Sequence, residues 1–251
     1  MPAHEVSATA AVQRASIWVA IADTLRAEIA GGALPPGHRL PTEAQLAARF
    51  GVNRHTVRQA LAALAAEGLV FARRGLGSFV AHRPVDYPLG GQVSFARNIA
   101  LAGRLPGRRI ANVVTRPANA AEAEALALPP GAPVHVAEGV SLIDGAPVAI
   151  FRSAFPAARL PDLPAALMAL SSVTEALARC GVARFTRRRT RVGAVIADAA
   201  QAAQLAMPPG GPLLLSEALN VDPAGQPVER GMTWFAADRV RLTIEGLPPR
   251  S

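Results

Sequence analysis

Asn53, Arg54, His55 and Thr56 stand in a row, and Arg58 follows one residue later, at the head of a run that is almost all Ala and Leu. These side chains suit the recognition of nucleic-acid bases. A guanidinium can donate a fork to guanine O6 and N7, an amide can pair with adenine, and each good bidentate contact discriminates by about 1–3 kcal/mol. The same residues could be the solvated start of a core helix, so the neighbouring elements decide. With Val57 taken as the buried direction, helical periodicity points His55, Gln59 and Ala62 most nearly away from the core, leaving a small-residue surface able to approach a groove closely.

Three helices and a hairpin are expected around that tip. Ile17, Ile21, Leu25 and Ile29 form an apolar ladder in a helix beginning near Ser16 and ending at Gly31-Gly32. Thr42 and Gln45 have capping-box spacing, which starts a short second helix over about 43–50 with Leu46 and Phe50 on one face. After a turn at Gly51-Val52, Asn53 caps a third helix with the stripe Val57, Ala60, Leu61 and Leu64. The following stretch, 69–82, alternates as a hairpin with Gly75 and Gly77 at its tip. This is the pattern of a winged helix-turn-helix over 16–83, in which the helix after the turn enters the major groove. Arg39, Arg49, Arg73 and Arg74 surround it as candidate phosphate contacts, Arg74 beside the glycine tip being the best placed.

Composition is consistent with this. All 26 basic residues are Arg and the net charge is +8, of which residues 1–83 hold +4 in half the length of the remainder. Cys180 is the one cysteine, so no intrachain disulfide and no cysteine metal site is expected. No apolar run approaches the roughly 20 residues of a membrane span. The start lacks a signal-peptide pattern, and residues 1–15 read as a flexible tail of a cytoplasmic, nucleoid-associated protein.

Residues 84–92 contain Pro and Gly and little to bury, which reads as a linker to a second domain at 93–251. That domain is internally duplicated. Residues 124–148 match 204–228, with Leu126, Pro129, Pro130, Gly131, Pro133, Glu138, Gly145 and Pro147 meeting Leu205, Pro208, Pro209, Gly210, Pro212, Glu217, Gly225 and Pro227. Each copy reads as a helix, a turn and two strands, so an α+β domain with one antiparallel sheet and approximate twofold symmetry is expected. Within it the run at 187–191 alternates so that Arg187, Arg189 and Arg191 share a face, either a solvated edge or a ligand or DNA-backbone contact.

The stretch 37–80 resembles the DNA-binding domain of GntR-family bacterial transcription regulators. The likeness is carried by Leu40-Pro41-Thr42-Glu43, by the Thr56 to Leu61 helix and by Gly75 to Val80. It implies that Arg39, Thr42, Glu43, Arg54, Thr56, Arg58 and Gly77 occupy positions used at DNA, and that a homodimer binds a palindromic operator. Residues 92–245 resemble the effector-binding (UTRA) domain of the HutC branch, whose fold is shared with chorismate lyase, and are most similar to PhnF-type regulators of phosphonate use. Sugar-phosphate sensors of that branch use two arginines, two glutamates, a serine and a tyrosine. The arginine positions fall here on Gly139 and Ser141, one glutamate position on Phe151 and the tyrosine on Phe235, while Ser171 and Glu229 are kept. The resemblance therefore disfavours an amino-sugar phosphate and leaves a smaller oxyanion, a phosphonate or phosphate. Ser94, Arg97, Arg152, Ser153, Ser171 and Glu229 are the candidate effector contacts.

An enzyme is a poor alternative despite the lyase-like fold. There is no phosphate-cradling glycine loop and no metal-spaced His or Cys set, so neither cofactor nor metal is expected. Four of the five histidines lie in the N-terminal region, and His135 lacks an evident carboxylate or nucleophile partner. A non-specific DNA binder would need no second domain. The expected function is a ligand-responsive regulator, with a repressor that releases its operator and a corepressor-type response both open.

Overall fold

The computed structural model describes residues 4–73, 75–82, 84–90 and 94–244, and the chain divides into two compact units at Arg83/Pro84. The first contains α1 (His4–Ala30), α2 (Glu43–Phe50), α3 (Arg54–Ala66) and the antiparallel hairpin of β1 (Val70–Arg73) and β2 (Gly77–Val80). Helix α1 begins at His4, so the tail expected over 1–15 is helical for most of its length.

Local signals set the other boundaries. The Gln45 N–H donates to Thr42 Oγ1 at 3.3 Å while the Thr42 N–H donates to Gln45 Oε1 at 2.8 Å, closing the capping box of α2. Gly51 ends α2 in the left-handed region at φ 65°, which an L side chain there would strain. Ile21, Leu25, Leu46, Val57, Leu61, Leu64, Val70 and Val80 form one buried core. Of the expected α1 ladder, Ile17 is exposed and Trp18 packs against the core instead.

The second unit is ordered β3 (Val85–Pro88), α4 (Phe95–Leu101), β4 (Pro106–Pro117), α5 (Ala120–Leu126), β5 (Pro133–Ile143), β6 (Ala146–Pro156), α6 (Leu163–Leu170), α7 (Val173–Arg179), β7 (Thr186–Ile196), α8 (Ala199–Gln204), β8 (Pro212–Val221), β9 (Pro227–Ala236) and β10 (Val240–Thr243). Six strands form one antiparallel sheet in the order β4-β5-β6-β9-β8-β7. The order reads the same from either edge once β4, β5 and β6 are equated with β7, β8 and β9. The duplication is thus a pseudo-twofold centred between β6 and β9, and each repeat also includes an edge strand that the 124–148 match did not reach. The stretch expected as a linker is partly structural: β3 pairs in parallel with β10, Val85 opposite Val240.

Arg159 and Arg239 are equivalent under this pseudosymmetry and grip opposite halves. Arg159 donates to the Pro227 carbonyl at the start of β9, and Arg239 donates to the Pro147 carbonyl at the start of β6. Arg239 is 6% exposed and also donates to the carbonyls of Leu205 and Ala206, fastening the end of α8.

A buried ion pair supports α5. Glu122 is 2% exposed, accepts from Arg116 at 2.7 and 2.8 Å, and completes the Asn119 capping box. The Arg116 bonds hold its carboxyl below the ordinary 4.5 against the opposing effect of burial. A depressed carboxylate stabilises the fold above its unfolded pKa, and that contribution is lost as pH falls through the lower folded value. Glu122→Gln should cost about 2–3 kcal/mol at pH 7, less than the ~3–5 of a fully buried broken pair because Arg116 is partly exposed. The deficit relative to wild type should shrink as unfolding is followed from pH 7 to below 4. A deficit independent of pH would show that the carboxylate charge is not what matters.

Candidate functional site

The exposed tip of α3 is built by its cap. Asn53 Oδ1 accepts from the Thr56 N–H at 2.9 Å and from Thr56 Oγ1 at 3.0 Å, which fixes the chain direction into the helix. Asn53, Arg54, His55, Arg58, Gln59 and Ala62 are exposed, whereas Val57, Ala60, Leu61 and Leu64 are buried, as the periodicity predicts. Two details differ from the sequence reading. Thr56 is only 6% exposed and its hydroxyl is held by the cap, so it has no free surface for a base. Both hydrogen bonds of the cap fall on Asn53 Oδ1, the atom that would accept from adenine.

The surrounding arginines fall into two groups. Arg58 donates to Glu43 at 2.8 and 3.2 Å, raising its own pKa and lowering that of Glu43. Arg49 is bonded to Glu28 and stacks 4.8 Å from the Phe50 ring centre, which ties it to α1. Arg39 and Arg54 have no ion-pair partner among the described residues. Residues 37–40 run beside β2, and the Arg39 guanidinium lies over Gly77, where a Cβ would meet Nε at 3.1 Å. Gly75 and Gly77 have φ of 75° and 100°, so the wing tip needs glycine at both. Arg74 lies outside the described residues.

In the second unit a cavity of about 70 Å³ lies against one face of the sheet, adjoining a more open one of about 230 Å³. Both are lined by Phe95, Arg108, Val173 and Thr174. Five aromatic rings, Tyr87, Phe95, Phe151, Phe185 and Phe235, enclose the smaller cavity, so charges inside it are poorly screened by water. Two guanidinium groups, Arg108 and Arg187, line it with one carboxylate, Glu229.

The two arginines come from opposite edges of the sheet. Arg108 on β4 pairs with Ser141, and Arg187 on β7 pairs with Asn220. Ser141 and Asn220 are themselves equivalent in the two repeats, so the duplication supplies one guanidinium from each half. Arg108 lies 4.3 Å from the Phe151 ring centre and 5.8 Å from that of Phe95. Burial lowers its pKa, with Glu229 and Tyr87 opposing, and burial raises that of Tyr87. Arg187 Nε is buried without a hydrogen-bond partner. Neither arginine has an ion-pair partner among the described residues. A buried donor left empty in this way is costly unless a ligand fills it.

Of the expected effector contacts, Ser153 and Glu229 line this cavity and Ser94 and Ser171 the adjoining one. Ser94 caps α4 by accepting from the Arg97 N–H at 3.2 Å, but Arg97 is exposed and lines neither cavity. Ser171 ends α6 at φ 51°, and the cap of α7 is Ser172. Arg152 lies away from both cavities: it pairs in register with Glu138, bonds to it, and lines a separate cavity with Glu138 and Trp234. The arginine run is a correction. A bulge between Arg187 and Arg189 breaks the alternation, sending Arg187 into the cavity while Arg189 and Arg191 line the other face with Glu217 and Arg230.

The resemblance to sugar-phosphate sensors can now be read in space. A Cβ at Gly139 would meet the Phe151 ring at 2.9 Å and the Arg109 carbonyl at 2.1 Å, so that arginine position is closed. Arg108 stands one strand over, opposite Ser141, and returns positive charge to the same side. His135, buried, has the Thr115 hydroxyl at 2.7 Å from Nδ1, and its pKa is lowered by burial. Among the described residues no group of three His, Cys, Asp or Glu could hold a metal ion, and no helix is long and apolar enough to cross a membrane.

Residues 101–241 match the UTRA domain, and residues 19–80 match the bacterial regulatory proteins of the gntR family. The chain belongs to the GntR family. This PhnF-like regulator of the HutC type is 38% identical over 231 residues to an HTH-type transcriptional regulator of Rhizobium meliloti, covering 92% of the chain and 95% of that protein. It is 34% identical over 211 residues to the probable transcriptional regulator PhnF of Escherichia coli, covering 83% and 87%. The crystal structure of PhnF from Mycobacterium smegmatis superposes with a TM-score of 0.64 at 28% identity, covering 90% of this chain and 99% of that one. The GntR-family chain is therefore a transcriptional regulator with a UTRA effector domain, and its relatives are regulators, not enzymes.

Proposed function

We propose that this regulator binds a palindromic operator as a homodimer through α3 and the wing, and that a small oxyanion in the Arg108/Arg187 cavity controls that binding. A phosphonate or phosphate fits best, and the regulated genes would serve uptake and use of such compounds. The observation that carries the reading is the pair of half-buried guanidinium groups without an ion-pair partner among the described residues, one with a buried unpartnered Nε, in an aromatic-walled cavity, an arrangement that a planar or tetrahedral oxyanion satisfies. The PhnF names of two relatives support the same ligand class. Protein of this kind works in the bacterial cytoplasm at the nucleoid.

In this reading Arg54 and His55 face base edges, Arg39 and Arg58 meet phosphates, and Thr42 and Asn53 hold the helix ends that present them. Glu43 keeps Arg58 oriented until a phosphate competes for it. Coupling has a short route. Tyr87 lines the cavity from β3, the strand that begins two residues after the boundary of the DNA-binding unit, so a ligand that reorders Tyr87 acts on the segment that leads out of that unit. A ligand can shift the equilibrium only by its differential affinity for the two arrangements, whichever sign that takes.

Arg54→Ala should cost about 1–3 kcal/mol in operator affinity and relax preference at one base pair, because a guanidinium fork reads guanine. Anisotropy titrations against single-base-pair operator variants measure this. A uniform loss over all sequences would make Arg54 a phosphate anchor instead.

A further inference from the structure

Glu229 is not explained by an oxyanion alone. It is 7% exposed, lies in the cavity with two guanidinium groups, and has no ion-pair partner among the described residues. One of its oxygens accepts from Ser153 Oγ at 2.6 Å and the other from Asn220 Nδ2 at 2.6 Å. That second bond fixes the Asn220 amide, because the flipped amide would set oxygen against carboxylate. Asn220 Oδ1 is left buried with no partner. Ser153 has already spent its one proton on Glu229. Opposite them Gly231 keeps the space open, since a Cβ there would come within 3.4 Å of Glu229 Oε1 and 3.7 Å of Ser153 Oγ.

Acceptors predominate around Glu229: two carboxylate oxygens with lone pairs remaining, an amide oxygen and a hydroxyl oxygen, against one remaining Asn220 N–H. Arg108 and Arg187 line the same cavity, Arg187 in register with Asn220, and supply donors in excess, with Arg187 Nε lacking an acceptor. An oxyanion satisfies the second group and leaves the first unmet. A buried amide oxygen without a donor is costly, the buried carboxylate has two neutral donors but no cation in contact among the described residues, and an ammonium offers three donors and a positive charge.

We infer that the effector is a zwitterion, carrying an ammonium beside its oxyanion, with the oxyanion between Arg108 and Arg187 and the ammonium on Glu229 and Asn220. This rests on the oxyanion reading above and narrows it. The cavity is about 70 Å³ and adjoins one of about 230 Å³, and a short chain between the two charges suits it.

The test uses the full chain and calorimetric titration with a matched set: inorganic phosphate, ethylphosphonate, 2-hydroxyethylphosphonate, 2-aminoethylphosphonate, 3-aminopropylphosphonate and ethylamine. At least one of the two amines should bind tenfold or more tighter than both ethylphosphonate and the hydroxyl compound, and ethylamine alone should not bind. Glu229→Gln should reduce the amine preference to less than twofold while ethylphosphonate still binds. If ethylphosphonate binds and neither amine improves on it, or the hydroxyl compound matches the amines, the inference is wrong and the oxyanion reading stands. If every phosphorus compound is silent, the oxyanion reading itself is overturned. The wild-type comparison decides the question even where Glu229→Gln fails to fold.

Discussion

Arg187→Leu should weaken the ligand response of this regulator ten- to a hundredfold while leaving the ligand-free fold as stable as wild type, or more so. The reason lies in the surroundings of the side chain. Its Nε is buried with no acceptor, and no carboxylate pairs with it among the described residues. Replacing a half-buried charge by an apolar group of similar volume should be neutral or stabilising by less than the about 1–4 kcal/mol of fully buried charges, whereas the bonds it makes to a charged ligand are worth about 1.5–3 kcal/mol each. A phosphonate held at 100 times its dissociation constant should add about 2.7 kcal/mol to wild-type stability. For a chain of this size that raises the melting temperature by roughly 5–10 °C. Arg187→Leu and Arg108→Gln should each weaken binding ten- to a hundredfold, on the scale of about 1.4 kcal/mol per decade, and together should leave no shift. Thermal melts with and without phosphonate measure both halves. A double variant that keeps the wild-type shift would remove the two arginines from the ligand site.

The second large effect is on the fold. Arg239→Ala should destabilise the effector domain by about 3–5 kcal/mol, because it strands one buried and two part-buried carbonyls whose unmet hydrogen bonds cost up to about 1–3 kcal/mol each, only part of which relaxation recovers. Those carbonyls belong to Pro147, Leu205 and Ala206, so one truncation loosens both the β5–β6 hairpin and the end of α8. Arg159 is the pseudosymmetric counterpart but sits at the surface, 35% exposed, with Asp222 as its partner. Arg159→Ala should therefore lose clearly less in the same denaturant titration, in line with the small worth of exposed pairs. Equal losses would mean that the two repeats share their load evenly and that burial of Arg239 is incidental.

How much of this was legible in the sequence follows from the range of the interactions involved. The winged helix-turn-helix was readable because its signals are local: Thr42 with Gln45, Asn53 with Thr56, and glycines at positive φ. The duplicated sheet was readable from the repeat, which also held an unread signal, since Arg108 and Arg187 occupy equivalent places on its two edge strands. Alternation alone misled at Arg187 because the bulge at Arg188 shifts the register by one residue, and a one-residue slip moves a side chain to the other face. Arg152 was misplaced for a related reason. It adjoins Phe151 and Ser153 in sequence, but its neighbours on a strand necessarily point the other way. The segment taken for a linker hid β3, because a four-residue strand whose partner lies about 150 residues away has no local pattern to announce it. Thr56 matched a family position at DNA yet is buried, since a cap that orients the helix uses the same hydroxyl.

The most direct test of a cavity-controlled DNA switch is the affinity of the full-length protein for an operator selected from a random duplex library, measured over a salt series with and without a phosphonate ligand. Non-specific binding should fall along a slope of about −0.9 per phosphate contact, while a preference for one palindrome persists. Saturating ligand should change that preferred affinity at least fivefold, the lower end of ordinary coupling, and the operator should change ligand affinity by the same factor. The account is contradicted if all sequences weaken together with salt and none is preferred, or if the ligand binds its cavity and leaves operator affinity unchanged.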